Sequence, residues 1–204
     1  MSSLDKAIAI VKRLRENGYE SYIAGGCVRD MLLDRPPQDY DITTSAKPEA
    51  ITGIFSQTVP VGAQFGVMLV VDGGEPFEVA TFRHDGPYLD GRHPSEVRYG
   101  SLKDDILRRD FTINGMVYDP VEDRVIDLVD GKKDLERRSI RAIGDARERF
   151  EEDRLRMVRA VRLAASLDFT IEEKTLAAIG ALAPTVGQIS WERIGEEITR
   201  ILTE

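Results

Sequence analysis

The chain has 204 residues, 42% hydrophobic and 31% charged, with a formal net charge of −8, one cysteine and two histidines. This is globular composition for one ordinary domain, or one plus a small second domain, and it excludes disorder as the default. One cysteine excludes an internal disulfide and, with only two histidines, fits a structural zinc site poorly. The apolar runs, such as 67–71, are strand-sized and too short to cross a bilayer. Residues 1–6 lack the basic start and apolar core of a signal peptide, so a reducing cytoplasm is the expected setting. The acidic total argues against a nucleic-acid partner, because phosphate binding needs a basic surface. Arginines nevertheless cluster at Arg108-Arg109, at Arg137-Arg138 and along 149–162, so a local basic stripe can coexist with an acidic whole.

Residues 4–16 carry an amphipathic helical pattern stopped by Asn17-Gly18. Residues 19–24 are strand-like. Gly25-Gly26 punctuates, and 28–33 form a short helix closed before Pro36-Pro37. Residues 39–43 alternate as a strand, and 48–55 are helical. Strands at 66–71 and 77–83 join through Asp72-Gly73-Gly74. Residues 84–101 are polar and aperiodic, which predicts a long mobile loop of a length that is uncommon and often functional. A helix is predicted over 102–116, then short strands at 117–118 and 125–128. From about 147 the pattern is helical throughout, with Leu155, Val158, Val161 and Ala165 lining one face, and further helices at 172–182 and from 191 onward. A domain boundary is therefore expected near 138–147, mixed α/β before it and all-helical after it. The sequence stops inside a helical pattern at Ile198-Thr199-Arg200-Ile201-Leu202, as expected if more helices follow.

Asp39 and Asp41 are two apart, and in a strand such residues face the same side. Two adjacent carboxylates suit Mg²⁺, which keeps waters and borrows phosphate oxygens, and such a pair can hold two metals. The plain alternative is a solvent-facing strand. Just upstream, Gly25-Gly26 lets backbone amides approach a phosphate, and Arg29 adds a charge that can grip its oxygens, unless Arg29-Asp30 is only a surface pair. Glu78, flanked by apolar residues in a strand, is a candidate third carboxylate, since a buried acid is costly unless paired or bound to metal. Arg83 would face the other way and orient the loop that follows. His84 and His93 read as hydrogen-bonding or solvated groups, and Cys27 as a small core residue.

Gly25-Gly26-x-Val28-Arg29-Asp30 with Asp39-x-Asp41 resembles the opening motif of the class II tRNA nucleotidyltransferases. That family includes CCA-adding enzymes, their CC-adding and A-adding relatives and bacterial poly(A) polymerases, within the polymerase-β-like superfamily. Arg108-Arg109-Asp110-Phe111-Thr112-Ile113-Asn114-Gly115 resembles its second motif, associated with the ribose. Asp130-Gly131 resembles the third, a hinge between head and neck. Glu152-Asp153-x-x-Arg156 resembles the fourth, an amino-acid template for the base, continued by Arg159-x-x-Arg162, and Trp191-Glu192-Arg193-Ile194 is similar to the neck-helix motif.

The resemblance implies an α/β head with a small mixed sheet flanked by helices over residues 1–140 and a helical neck over 141–204. It implies addition of C and/or A to the 3′ end of tRNA from CTP or ATP, without a nucleic-acid template, by two-metal chemistry with Mg²⁺ and release of pyrophosphate. Asp39, Asp41 and Glu78 are then catalytic. Gly25, Gly26, Arg29, Arg108, Arg109, Asp110, Asn114, Asp153, Arg156, Arg159 and Arg162 bind the nucleotide. From the residues alone, Asp153 and Arg156 share a helical face, and either reading, base-edge recognition or an i,i+3 surface ion pair, stays open. Within the family, Val61-Gly62-Ala63-Gln64-Phe65-Gly66 resembles the tRNA-specific members, and the loop with Tyr88-Leu89-Asp90-Gly91-Arg92-His93-Pro94 resembles CCA-adding and A-adding enzymes. The alternatives are a bacterial poly(A) polymerase, a non-catalytic nucleotide-binding module, and a transferase that modifies a small molecule or protein.

Overall fold

The computed structural model describes residues 1–62, 65–86 and 96–203. In chain order the elements are α1 (Ser3–Glu16), β1 (Ser21–Ala24), α2 (Gly26–Leu32), β2 (Asp41–Thr44), α3 (Pro48–Ile54), β3 (Thr58–Gly62), β4 (Val67–Asp72) and β5 (Glu75–Thr81). Then come β6 (Arg83–Asp85), β7 (Val97–Tyr99), α4 (Leu102–Leu107), a 3₁₀ turn at Thr112–Asn114, β8 (Met116–Asp119), β9 (Arg124–Asp127) and α5 (Gly131–Glu136). The rest is β10 (Ser139–Ile140), α6 (Ala146–Glu152), α7 (Leu155–Leu167), β11 (Thr170–Ile171), α8 (Glu173–Leu182), a 3₁₀ stretch at Ala183–Gln188 and α9 (Trp191–Thr203). No helix among the described residues is long and apolar enough to cross a membrane.

Seven strands form one mixed sheet in the order β3-β4-β5-β2-β1-β8-β9, in which β2 and β5 are parallel and the other neighbours antiparallel. Strand side chains alternate between faces, and the alternation is what separates core from site. Ile23, Ile42 and Val79 point into a large core shared with Ala7, Ile10 and Leu14 of α1. Ala24 and Val117 lie in a smaller cluster on the other face with Ile106 of α4. Asp41, Thr43 and Glu78 alternate with the core residues and therefore belong to that second face. The large core also takes Phe150 of α6 and Met157, Ala160, Leu163 and Leu167 of α7, so a single apolar cluster joins the α/β part to the helical part.

The fold departs from the sequence expectations in several places. The predicted strand 39–43 begins at Asp41, leaving Asp39 in the connection before it. The predicted helix 102–116 ends at Leu107. Beyond it the backbone pairs sideways, with Thr112 N donating to Arg141 O at 2.9 Å and Ile143 N to Asp110 O at 3.0 Å, which competes with continued helix. The ends of the predicted loop 84–101 form the hairpin β6–β7, while 87–95, with the quoted 88–94 stretch, lie outside the described residues, as do Ala63 and Gln64. The region after 147 is not wholly helical, because β11 pairs in parallel with β10.

The predicted continuous helix through 151–165 is broken. Asp153 takes an extended conformation, φ −143° and ψ 106°, between α6 and α7. The buried face of α7 is set by Met157, Ala160, Leu163 and Leu167, whereas Val161 is 47% exposed and Ala165 is exposed. The break rotates the apolar stripe away from that expected for one unbroken helix. β3, missed in the sequence, is a mostly exposed edge strand with Pro60 in it, and edge strands tolerate proline and carry little hydrophobic alternation. At the Asp130-Gly131 pair, Asp130 sits in the left-handed region with φ 60°, and a Cβ on Gly131 would run into the Thr112 carbonyl oxygen. Only glycine fits there.

Candidate active site

A cavity of about 750 Å³ opens between the sheet face that carries Asp41 and the helices α7 and α9. Gly25, Gly26, Arg29, Asp39, Asp41, Glu78, Arg108, Arg109, Asp110, Asn114, Arg156, Arg159 and Arg162 all line it. Residues 137 positions apart in sequence thus meet in one place. Asp153 is outside the lining; it is held at the α6–α7 break by Arg193 of α9, at 2.8 and 3.2 Å.

Asp41 opens β2, and Glu78 stands one register step before Val79, the parallel partner of Ile42, so the two acids are cross-strand neighbours. Burial, reinforced by the charges of Asp39 and Glu78, pushes the Asp41 carboxyl up to about 7. Burial and Asp39 likewise raise Glu78. Glu78 is on the exposed side of β5, so the expectation of an acid enclosed within the strand is corrected: its carboxyl is desolvated by the cavity and its acidic neighbours rather than by the core. Among the described residues no group of three or more His, Cys, Asp or Glu side chains is arranged to hold a metal ion unaided. For Asp41 and Glu78, burial and acidic neighbours outweigh the opposing charges of Arg109 and Arg83, and a divalent ion with waters or phosphate oxygens completing its shell fits such a set of oxygen donors.

The cationic wall is ordered by carboxylates. Asp105 of α4 is fully buried and accepts from Arg108 Nε at 2.9 Å and Nη2 at 2.6 Å, from Arg109 Nη2 at 2.9 Å, and from Thr43 Oγ1 of β2 at 3.1 Å. Burial alone would raise its carboxyl, but the guanidiniums of Arg109 and Arg108 outweigh burial and hold it below the usual carboxylate range. Arg109 Nη1 in turn comes within 3.3 Å of where a Cβ on Gly25 would sit, and Gly25 has φ +85°, so a side chain is excluded there on both counts. Asp105 was not singled out in the sequence, although its i,i+3 and i,i+4 spacing to two arginines on a helix was the available signal.

Arg29 does pair with Asp30, at 2.8 and 2.9 Å, and its Nη1 donates to Asn114 Oδ1 at 2.9 Å, which ties the two motifs together. Asp110 is buried against Arg159 at 3.1 Å and accepts from Phe111 N at 2.8 Å. Burial opposes its ionisation, and Arg159, the Phe111 amide, Arg156 and Asn114 more than compensate, so the carboxyl lies below its ordinary value. Arg162 bonds Glu197 of α9 at 2.6 Å. Arg83 reaches Phe65 O at 2.7 Å and Asp85 at 3.0 Å, anchoring the start of the hairpin. Cys27 is buried and its thiol is pushed up to about 12 by burial and by the charge of Asp41, so it packs and does not react.

A family model described as the poly(A) polymerase head domain matches residues 21–141, and one described as the probable RNA and SrmB-binding site of polymerase A matches 168–204. The chain belongs to the poly(A) polymerase head-domain family. The CCA-adding enzyme of Enterococcus faecalis is 48% identical over 198 residues, 97% of this chain and 48% of its own length. That of Streptococcus pyogenes is 46% identical over 202 residues, 98% of this chain and 50% of its own. The Bacillus stearothermophilus CCA-adding enzyme in complex with CTP superposes with a TM-score of 0.90 at 40% identity, over 99% of this chain and 49% of that one. A tRNA nucleotidyltransferase complexed with a primer tRNA and an incoming ATP analogue gives 0.77 at 28% identity, over 95% of this chain and 57% of that one. The chain spans about half the length of the curated relatives it matches.

Proposed function

We propose that the protein adds C and/or A to the 3′ end of tRNA from CTP or ATP, as a CCA-adding or A-adding enzyme. The observation that carries this reading is the set of mutually repelling carboxylates, Asp39, Asp41 and Glu78, facing the Gly25-Gly26 turn and the arginine wall across one cavity. The names of relatives at 46–48% identity favour tRNA over poly(A) synthesis.

In the reaction the RNA 3′-oxygen bonds to the α-phosphorus, the bond from that phosphorus to the β-phosphate bridging oxygen breaks, and pyrophosphate leaves. Asp39 and Asp41 would hold Mg²⁺, with Glu78 beside them; when bound, the ion supplies activation of the 3′-hydroxyl and neutralisation of phosphate charge. Gly25 and Gly26 let the backbone approach the triphosphate, and Arg29, Arg108 and Arg109 present fixed cationic donors to it. Asp110 and Asn114 take the ribose end. Arg159 and Arg162 add positive charge along α7, and Asp153 with Arg156 selects the base. The residues 84–101 would reshape the base pocket for ATP.

Asp105 acts here through the two arginines it holds. Asp105→Asn should raise the nucleotide KM roughly tenfold or more, since losing a charge-assisted hydrogen bond costs about 1.5–3 kcal/mol. kcat should fall less, and Asp105→Glu should restore part of the loss. An unchanged KM in a folded Asp105→Asn protein would assign the carboxylate to folding alone.

The test of the whole reading is incubation with tRNAs ending before the first C, after CC and after CCA, with radiolabelled CTP or ATP. Extension to CCA and no further is the expected result. ATP incorporation confined to the CC end narrows the activity to A addition. Long A tracts on any RNA make the protein a poly(A) polymerase, and no incorporation on any of them overturns the enzyme reading.

A further inference from the structure

The arginines deep in the cavity are matched by carboxylates. Arg29 pairs with Asp30 at 2.8 Å, and Arg108 and Arg109 share Asp105 at 2.6 and 2.9 Å. On α7, Arg156 pairs with Glu152 at 2.7 Å, Arg159 with Asp110 at 3.1 Å and Arg162 with Glu197 at 2.6 Å. Two more arginines line the same cavity, Arg35 and Arg200, and both are exposed. Among the described residues neither has a carboxylate within ion-pair distance. The inner arginines are thus each held by a carboxylate, whereas the two exposed arginines of the lining are not.

Their placement is structured. Arg35 Nη1 donates to the Ser166 carbonyl at 3.3 Å, which seats it against the C-terminal end of α7 beside Leu167, itself part of the lining. That bond uses one of five guanidinium donors and leaves the others for a ligand. Arg35 is joined to Asp39 by Pro36-Pro37-Gln38. Four residue steps span at most about 14 Å, and two prolines with fixed φ stiffen the link, so Arg35 is held at a set distance from the carboxylates. Arg200 comes from α9, inside the segment 168–204 that matches the probable RNA-binding model.

We infer that the RNA strand reaches the carboxylates past Arg35 and Arg200, and that these two arginines bind its backbone phosphates within a few nucleotides of the reacting 3′ end. The inference rests on the proposed nucleotidyl transfer to RNA. A triphosphate held at Gly25-Gly26 and the inner arginines has no need of the rim, whereas a polyanion that extends out of the cavity must cross it. In a chain of net charge −8, these two exposed arginines also set the direction of approach.

The experiment measures binding, so it stands whether or not the chain turns over. Anisotropy of a fluorescent single-stranded RNA ending in CC, and of a fluorescent ATP analogue, is titrated across salt for the wild type, Arg35→Glu, Arg200→Glu and the double variant. Arg124→Glu, on β9 and outside the cavity, controls for net charge. The expected result is RNA binding weakened roughly tenfold or more in the double variant, with the log–log salt slope shallower by about 0.7 for each arginine replaced. ATP-analogue binding and the melting temperature should be unchanged. Wild-type chain that binds no RNA at low salt, or equal RNA binding in all variants, overturns the inference. Loss of ATP-analogue binding with RNA binding intact moves the two arginines to the nucleotide and also overturns it. Failure of tRNA extension with the binding results as expected would sink the enzymatic reading and leave the RNA surface standing.

Discussion

Asp41→Ala, and equally Asp39→Ala, is expected to abolish nucleotide addition while the protein stays folded. Loss of one ligand from two-metal chemistry removes several kcal/mol of transition-state stabilisation, on the order of a thousandfold or more in rate. Folding should survive because the ionised Asp41 works against the native state. Its carboxyl titrates near 7 in the folded protein, above its ordinary 3.8, so the native state binds the extra proton between those values. Stability of the metal-free protein should therefore fall as pH rises from about 4 to about 7 and level off above that. Asp41→Asn should flatten that fall, raising the melting temperature at pH 8 relative to the wild type. Metal must displace the same proton, so Mg²⁺ affinity should climb with pH up to about 7. An Asp41→Ala protein with near-normal turnover in the tRNA assay would remove this carboxylate from the chemistry.

Much of the candidate site was legible because the chemistry proposed for it is carried by short runs with local logic. Gly25-Gly26, the Asp39–Asp41 spacing and Arg108-Arg109-Asp110 each specify a feature within a few residues, and the fold brings all three to one cavity. What was less legible depended on long-range partners. α4 stops where 110–112 find hydrogen bonds at 141–143, about thirty positions on, which no helical periodicity could report. Asp105 draws its role from Thr43 on β2 as much as from its helix neighbours. The break at Asp153 follows the same rule: its carboxylate caps Leu155 N at 3.1 Å and binds Arg193, forty positions away, so an apparently continuous helical pattern is cut in two. Exposure of Val161 follows from that cut, and its companion on the apolar side of the notional helix, Leu155, instead packs with Ile189 and Ile194.

The break matters most for the proposed base choice. Asp153 and Arg156 do not form the surface ion pair that their spacing allowed. Asp153 is held by Arg193, and Arg156 is buried, donating to Glu152 at 2.7 Å, to Arg149 O at 3.1 Å and to Arg108 O at 3.2 Å. A carboxylate offers about four lone-pair sites and a guanidinium five donors, so each keeps capacity for a base edge. C and A both present an exocyclic amine donor beside a ring-nitrogen acceptor, which a carboxylate and a guanidinium complement. U and G present an acceptor beside a ring N–H and would leave buried groups mispaired, at about 1–3 kcal/mol each. Asp153→Ala and Arg156→Ala are therefore expected to raise UTP and GTP use relative to CTP and ATP by about ten- to a hundredfold, measured as the ratio of kcat/KM across the four nucleotides. Arg156→Ala should have the larger effect, because Arg156 lines the cavity and Asp153 does not. Asp153→Ala also strands Arg193 and should lower the melting temperature by loosening α9, so the nucleotide ratio, not the total rate, is the deciding readout. If both variants keep wild-type ratios and lose only stability, the two residues serve as struts, Asp153 for α9 and Arg156 for the junction of α4 with α6.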